Sequence, residues 1–195
     1  MTQPYPTRFA LAALTVLAVA GCHSGDVTAT ETPVKPTLIS LVPVKSPLTV
    51  KSPDITAGQP IAERFTNYGM NQTPTIQWSA PPAGTKTLIL LLEDPDGPGA
   101  KPFRHWMVYD IPASETSIGA KLPRGAVADK NDADTVGYFG PHPPPESQPH
   151  HYHFEVFAID SRMALAPKAD QQVLSVALKG HTLAAGELVV TYQKS

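Results

Sequence analysis

Three stretches of the chain carry residue types that can orient one another and hold an ion. The first is Glu93-Asp94-Pro95-Asp96-Gly97-Pro98, acids placed directly after an apolar run. The second is His105-Trp106 at the head of another hydrophobic segment. The third runs from Gly137-Tyr138-Phe139-Gly140-Pro141-His142-Pro143-Pro144-Pro145 into Pro149-His150-His151-Tyr152-His153-Phe154. Imidazole N–H groups and a free backbone N–H donate to an anion. A carboxylate beside a histidine fixes its tautomer and raises its basicity. These residues therefore suit a small polar pocket around Asp94, His105 and His150. Taken singly each has a plainer reading, because Asp, Pro and Gly build ordinary turns and a histidine opening a strand can be a satisfied core residue.

Strands must deliver these side chains. Leu48-Thr49-Val50 begins an alternating pattern, and Thr75–Trp78 is a second short strand closed by Pro81-Pro82. Thr87–Leu92 is continuously apolar, which predicts a central strand buried on both faces. His105–Ile111 and His150–Asp160 are further strands, and Leu188–Tyr192 closes the chain. Along His150–Asp160, period-2 alternation puts His150 and Tyr152 on the core face with Phe154, Val156 and Ala158. His151, His153 and Glu155 then point to solvent. Gly140 lets a backbone N–H approach a ligand, and the proline run makes a stiff wall. Val173–Ala185 has helical spacing, with Leu174, Ala177 and Leu178 on one side. Little helix among strands and turns predicts a mainly β fold, an antiparallel β-sandwich of two sheets with one or two short helices near the C-terminus.

Composition narrows the field. The net charge of −2 and the 16% charged residues give no basic field for nucleic acid. No glycine-rich phosphate loop of the dinucleotide or Walker type is present. The 22 prolines disfavour long helices.

The N-terminus reads as an address. Arg8 precedes the apolar run Phe9–Ala20, too short for the ~20 residues that span a bilayer. Leu17-Ala18-Val19-Ala20-Gly21-Cys22 resembles the bacterial lipobox, whose signal is cut before the cysteine that is then acylated. Cys22 is the sole cysteine and cannot form an internal disulfide. The expected organisation is a lipoprotein signal peptide over 1–21, a flexible tether over 22–46 and a globular domain over 47–195. Lipidation at Cys22 would anchor the protein in the cell envelope facing the periplasm, with His23 after the cysteine favouring the outer membrane by analogy with the sorting rule.

In order, Asp94–Pro98, His105-Trp106, Gly137–Pro144 and His150–Tyr152 resemble the phosphatidylethanolamine-binding protein family, in particular its bacterial Raf kinase inhibitor-like branch. Thr73–Trp78, Asn131-Asp132 and Lys179–Ala184 add to the likeness, which covers roughly 48–192. The resemblance implies a β-sandwich with a small site for phosphate or a phosphorylated head group, lined by Asp94, His105, Gly140, Pro141, His150 and Tyr152. Asp96 belongs to the same motif in a structural role. Two positions depart from the family pattern: Gly97 stands where Ala is usual, and His151 stands where Arg is usual. An Arg is always charged and a His is not, so an ion pair made there would become pH-sensitive.

The expected function is non-catalytic binding of a small anion or phospholipid head group, without a cofactor, with regulation or inhibition of a partner enzyme as an extension. Binding should strengthen below pH ~6.5, where imidazoles gain a proton. Two alternatives stay open. One is a hydrolase using an Asp–His pair on a bound water, although no Gly-x-Ser-x-Gly elbow is present. The other is metal binding by His142, Glu146, His150, His151 and His153, of which only His151 and His153 share a strand face.

Overall fold

The computed structural model describes Met1 and residues 34–195. Beyond Met1, the expected signal peptide lies outside the described residues, as do Cys22 and the first part of the expected tether. Thr87–Asp94 (β4) is the centre of the architecture, and all eight of its residues are buried. It pairs antiparallel with Phe103–Pro112 (β5) on one side and with His150–Ile159 (β8) on the other. Thr182–Tyr192 (β9) pairs antiparallel with β8, and Ser46–Pro47 (β1) runs parallel to β9. With Val127–Ala128 (β7) at the far edge, the large sheet has the order β1-β9-β8-β4-β5-β7. A small sheet of Val50–Lys51 (β2), Ile76–Trp78 (β3) and Ser117–Ile118 (β6) faces it. The expected two-sheet, mainly β fold is the observed one; the β1–β9 pair is its one parallel departure among the named strands.

The alternation of β4, with both of its faces covered, explains the unbroken apolar run Leu88–Leu92. Leu88, Leu90 and Leu92 pack between the sheets with Trp78, Trp106, Tyr152, Phe154 and Val156. Ile89 and Leu91 face the other way, into a second core with Met107, Phe157, Leu174 and Leu178. Each such side chain removed from water contributes roughly 1.5–3 kcal/mol, so truncating fully buried Leu91 to Ala would cost about 2–5 kcal/mol.

The second core corrects three expectations. Residues 37–42 do not belong to a tether: Leu38–Leu41 (α1) is a short helix, and Leu38 and Val42 are buried against the outer face of the large sheet. Glu155 does not point to solvent, because that face is covered and Glu155 is fully buried. The helix expected over Val173–Ala185 is Gln171–Leu178 (α2), started by the Asp170 side chain accepting the Gln172 N–H at 2.9 Å. It stops before Gly180, whose φ of +85° a helix cannot continue. Ala184 and Ala185 lie in β9 instead, one in each core. Small residues carry little strand signal, so their helix-compatible spacing misleads.

Among the described residues, no helix is long and apolar enough to cross a membrane.

Candidate functional site

Antiparallel pairing brings the C-terminal end of β4 to the N-terminal ends of β5 and β8. Asp94, His105 and His150 therefore meet at one rim of the large sheet. Asp94 has the parity of Leu90 and Leu92 and sits on the inner side; Glu93 has the parity of Leu91 and sits on the outer side.

The Asp94 carboxylate organises the site. Its Oδ2 accepts from His150 Nδ1 at 2.8 Å and lies 3.8 Å from His105 Nε2. Its Oδ1 accepts the Asp96 N–H at 2.9 Å. All three side chains are almost completely buried. Burial would raise the Asp94 carboxyl, but the two imidazoles outweigh it and hold the group at about 2, so it is ionised at neutral pH. His105 Nδ1 lies 2.8 Å from the Phe139 carbonyl. A carbonyl only accepts, so Nδ1 carries the proton there and Nε2 faces Asp94.

These residues form the floor of a cavity of about 280 Å³. Phe103, Phe139 and Pro144 give it apolar walls, and His142 adds a third imidazole. Phe103 packs on His105 with ring centres 4.7 Å apart. The cavity thus combines one fixed anion with imidazoles whose outer nitrogens accept when neutral and donate when protonated. No side chain of the lining is a serine, threonine or cysteine.

Gly140, Pro141 and Tyr152 stand behind this lining. The Gly140 N–H is already donated to Asn71 Oδ1 at 2.7 Å, so it does not await a ligand. Glycine is required there because a Cβ would lie 2.3 Å from the Phe65 carbonyl oxygen. Pro141 accepts the Asn67 N–H at 3.0 Å. Tyr68 and Tyr138 donate their hydroxyls to Pro143 and Phe65 carbonyls, each at 2.7 Å. The proline-rich wall is thereby docked on residues 65–71, a support that sequence reasoning missed because nothing local links Asn71 to Gly140. Tyr152 is fully buried and braces both histidines, edge-on to His105 at 5.3 Å and stacked with His150 at 6.4 Å. Burial, with Asp94 adding to it, pushes the Tyr152 hydroxyl far up.

Asp96 turns outward. Its Oδ2 accepts the His151 backbone N–H at 2.7 Å and His151 Nδ1 at 2.8 Å, tying the 94–98 turn to β8. His151 thus takes a carboxylate partner at an exposed rim. Lys35 Nζ also donates to the Gly97 carbonyl, so residues ahead of α1 brace the same turn. His153 pairs separately with Glu187 at 2.8 Å, so His151 and His153 do not share a site.

On the outer side, Glu93 Oε2 accepts the Leu38 N–H at 2.8 Å and Glu155 Oε2 accepts the Ile39 N–H at 3.0 Å. Burial pushes Glu93 up to about 7, against the opposing pull of Leu38, Arg104 and Gln171. Burial and the neighbouring Glu93 push Glu155 well above the ordinary carboxylate range.

Comparison with known proteins agrees with this fold. The family described as phosphatidylethanolamine-binding protein matches residues 51–193. A UPF0098 protein of Methanothermobacter thermautotrophicus is 35% identical over 140 residues, covering 69% of this chain and 91% of its own. LppC of Mycobacterium tuberculosis, described as a candidate lipoprotein, is 33% identical over 185 residues and 91% of each chain. Among solved structures, Escherichia coli YbcL, titled a member of the mammalian PEBP family, superposes with a TM-score of 0.70 at 29% identity, covering 77% of this chain and all of its own. A homologue from Chlamydia trachomatis superposes with a TM-score of 0.68 at 29% identity, covering 77% of this chain and 99% of its own.

Proposed function

The chain belongs to the phosphatidylethanolamine-binding protein family, and on that premise we propose that it is a non-catalytic receptor for a small oxyanion or a phosphorylated head group, held at the cell envelope. The observation that carries this reading is the Asp94–His150–His105 cluster at the floor of the aromatic and proline-walled cavity. A phosphate oxygen entering there meets imidazole nitrogens that donate once protonated, and Asp94 supplies the counter-charge that keeps the imidazolium in place. The cavity of about 280 Å³ suits a head group rather than a whole lipid.

Among the described residues the lining offers no hydroxyl or thiol nucleophile, which disfavours covalent catalysis of the serine or cysteine type. Retention at the envelope is supported by the Leu17–Cys22 signal and by the description of LppC. A role in regulating or inhibiting a partner enzyme would use the rim of the cavity, where bound ligand and protein surface are contiguous.

Native mass spectrometry of the purified full-length chain tests the reading, together with turnover of nitrophenyl phosphate. The expected result is a retained phosphate-class mass that His150→Ala loses, with no turnover. Turnover that disappears in both His105→Ala and His150→Ala would replace the receptor with a hydrolase.

A further inference from the structure

The outer face of the large sheet holds a second cluster that the anion cavity does not use. β8 and β9 pair with Glu155 opposite Glu187 and His153 opposite Val189. His153 and Glu155 are two residues apart and so share a face, and Glu187 lies beside both. One ligand atom from each of His153, Glu155 and Glu187 falls within 4.8 Å of the others. The three are graded in exposure: Glu155 is fully buried, His153 is partly covered and Glu187 opens to solvent.

Glu155 is the informative member. Its Oε2 is held by the Ile39 N–H at 3.0 Å, while its Oε1 is buried with no hydrogen-bond partner. Glu93, buried on the adjacent strand opposite His153, adds a further carboxyl to this side of the sheet. A buried carboxylate oxygen without a partner is costly. A divalent cation would give that oxygen its missing partner.

We propose that His153, Glu155 and Glu187 form a divalent-cation site of the zinc class on the face of the sheet opposite the Asp94 cavity. One imidazole nitrogen and two carboxylates match zinc better than calcium or magnesium, which prefer all-oxygen sets. Zinc bonds of roughly 2.0–2.2 Å place ligand atoms about 3.3 Å apart. His153 Nδ1 and Glu187 Oε2 are already 2.8 Å apart, and both side chains reach solvent, so rotation of the two completes the set. Three protein ligands leave a position for water. The Ile39 N–H on Glu155 Oε2 orients the buried ligand from behind. Cation binding therefore also fastens the α1 segment to the sheet.

The test is equilibrium dialysis of the full-length chain, without a histidine tag and stripped by chelator, against zinc. The site predicts one retained equivalent. Glu187→Gln and His153→Gln, both at positions that reach solvent and so tolerate exchange, should each weaken affinity by more than the roughly 10-fold cost of losing an outer partner. Glu155→Gln should do the same wherever circular dichroism shows it folded. No retained zinc would overturn the proposal. So would zinc that survives Glu187→Gln and His153→Gln but is lost in His150→Ala, which would place it in the anion cavity.

Discussion

Asp94 Oδ2 and His150 Nδ1 are 2.8 Å apart at the meeting of two antiparallel strands, where both side chains are buried. This single contact joins the end of β4 to the start of β8. It determines which His150 nitrogen carries a proton toward the carboxylate and leaves the other to the cavity. The contact suits Asp94 to orient the histidine and to supply a local counter-charge.

The Asp94 carboxyl, held at about 2 instead of its ordinary 3.8, makes an acid-stability prediction. A depressed carboxyl contributes stability that is complete above its unfolded value and is lost as pH falls through the folded one. The shift corresponds to about 2 kcal/mol. Wild-type stability in denaturant titrations should fall between pH 4 and pH 2 by about this much more than that of Asp94→Asn. Parallel pH curves for the two proteins would remove Asp94 from this role.

Glu93 makes the opposite prediction, because burial raises its carboxyl to about 7. A raised group contributes stability that is complete below its unfolded value of about 4.5 and is lost as pH rises through 7. In chelating buffer, wild type should lose stability between pH 5 and pH 8, while Glu93→Gln should vary less over that window. Thermal melts at the two pH values measure the difference. A Glu93→Gln variant with the full wild-type loss would contradict the assignment.

Gly140→Ala should destabilise the fold by roughly 1–3 kcal/mol, the usual cost of overpacking. The added Cβ would meet the Phe65 carbonyl at 2.3 Å and displace the wall from residues 65–71. Gly137→Ala is the comparison: its obstacle is the positive φ of 93°, with no heavy atom within 4 Å of the new Cβ. Phosphate binding should weaken in Gly140→Ala because the wall moves, and a melting temperature equal to wild type would show that the close approach is unimportant.

Cys22→Ser tests the anchor. Wild-type chain expressed in a bacterial host should partition with membranes and incorporate labelled palmitate, whereas Cys22→Ser should do neither. Membrane partition unaltered by the substitution would leave the lipobox resemblance without function.

Much of the scaffold was legible because Leu88–Leu92 of β4 is apolar without a break, as a strand covered on both faces requires. The alternation along β8 likewise separated inward His150 from outward His151. It failed at Glu155, since alternation tells which face a residue takes but not what covers that face. The cover comes from α1 and α2, remote in sequence, and α1 lies in a stretch whose Thr and Pro content resembles a linker. Asp94, His105 and His150 were recognisable as a group. Gly140 was recognisable as special, but its reason was not: the glycine serves contact with Phe65 and Asn71 rather than with a ligand. Asn71 and Phe103 carry no local motif: Asn71 supports the wall through the Gly140 N–H, and Phe103 reaches the cavity by packing on His105.

Titration calorimetry of inorganic phosphate into the full-length chain at pH 5.5 and pH 8 tests the central claim most directly. Proton-coupled donation by the imidazoles predicts several-fold tighter binding at pH 5.5, uptake of protons from buffer on binding, and loss of both in His150→Ala. Phosphate affinity that is the same at both pH values, or that persists unchanged in His150→Ala, would contradict the assignment of the Asp94–His150 cavity as the anion site.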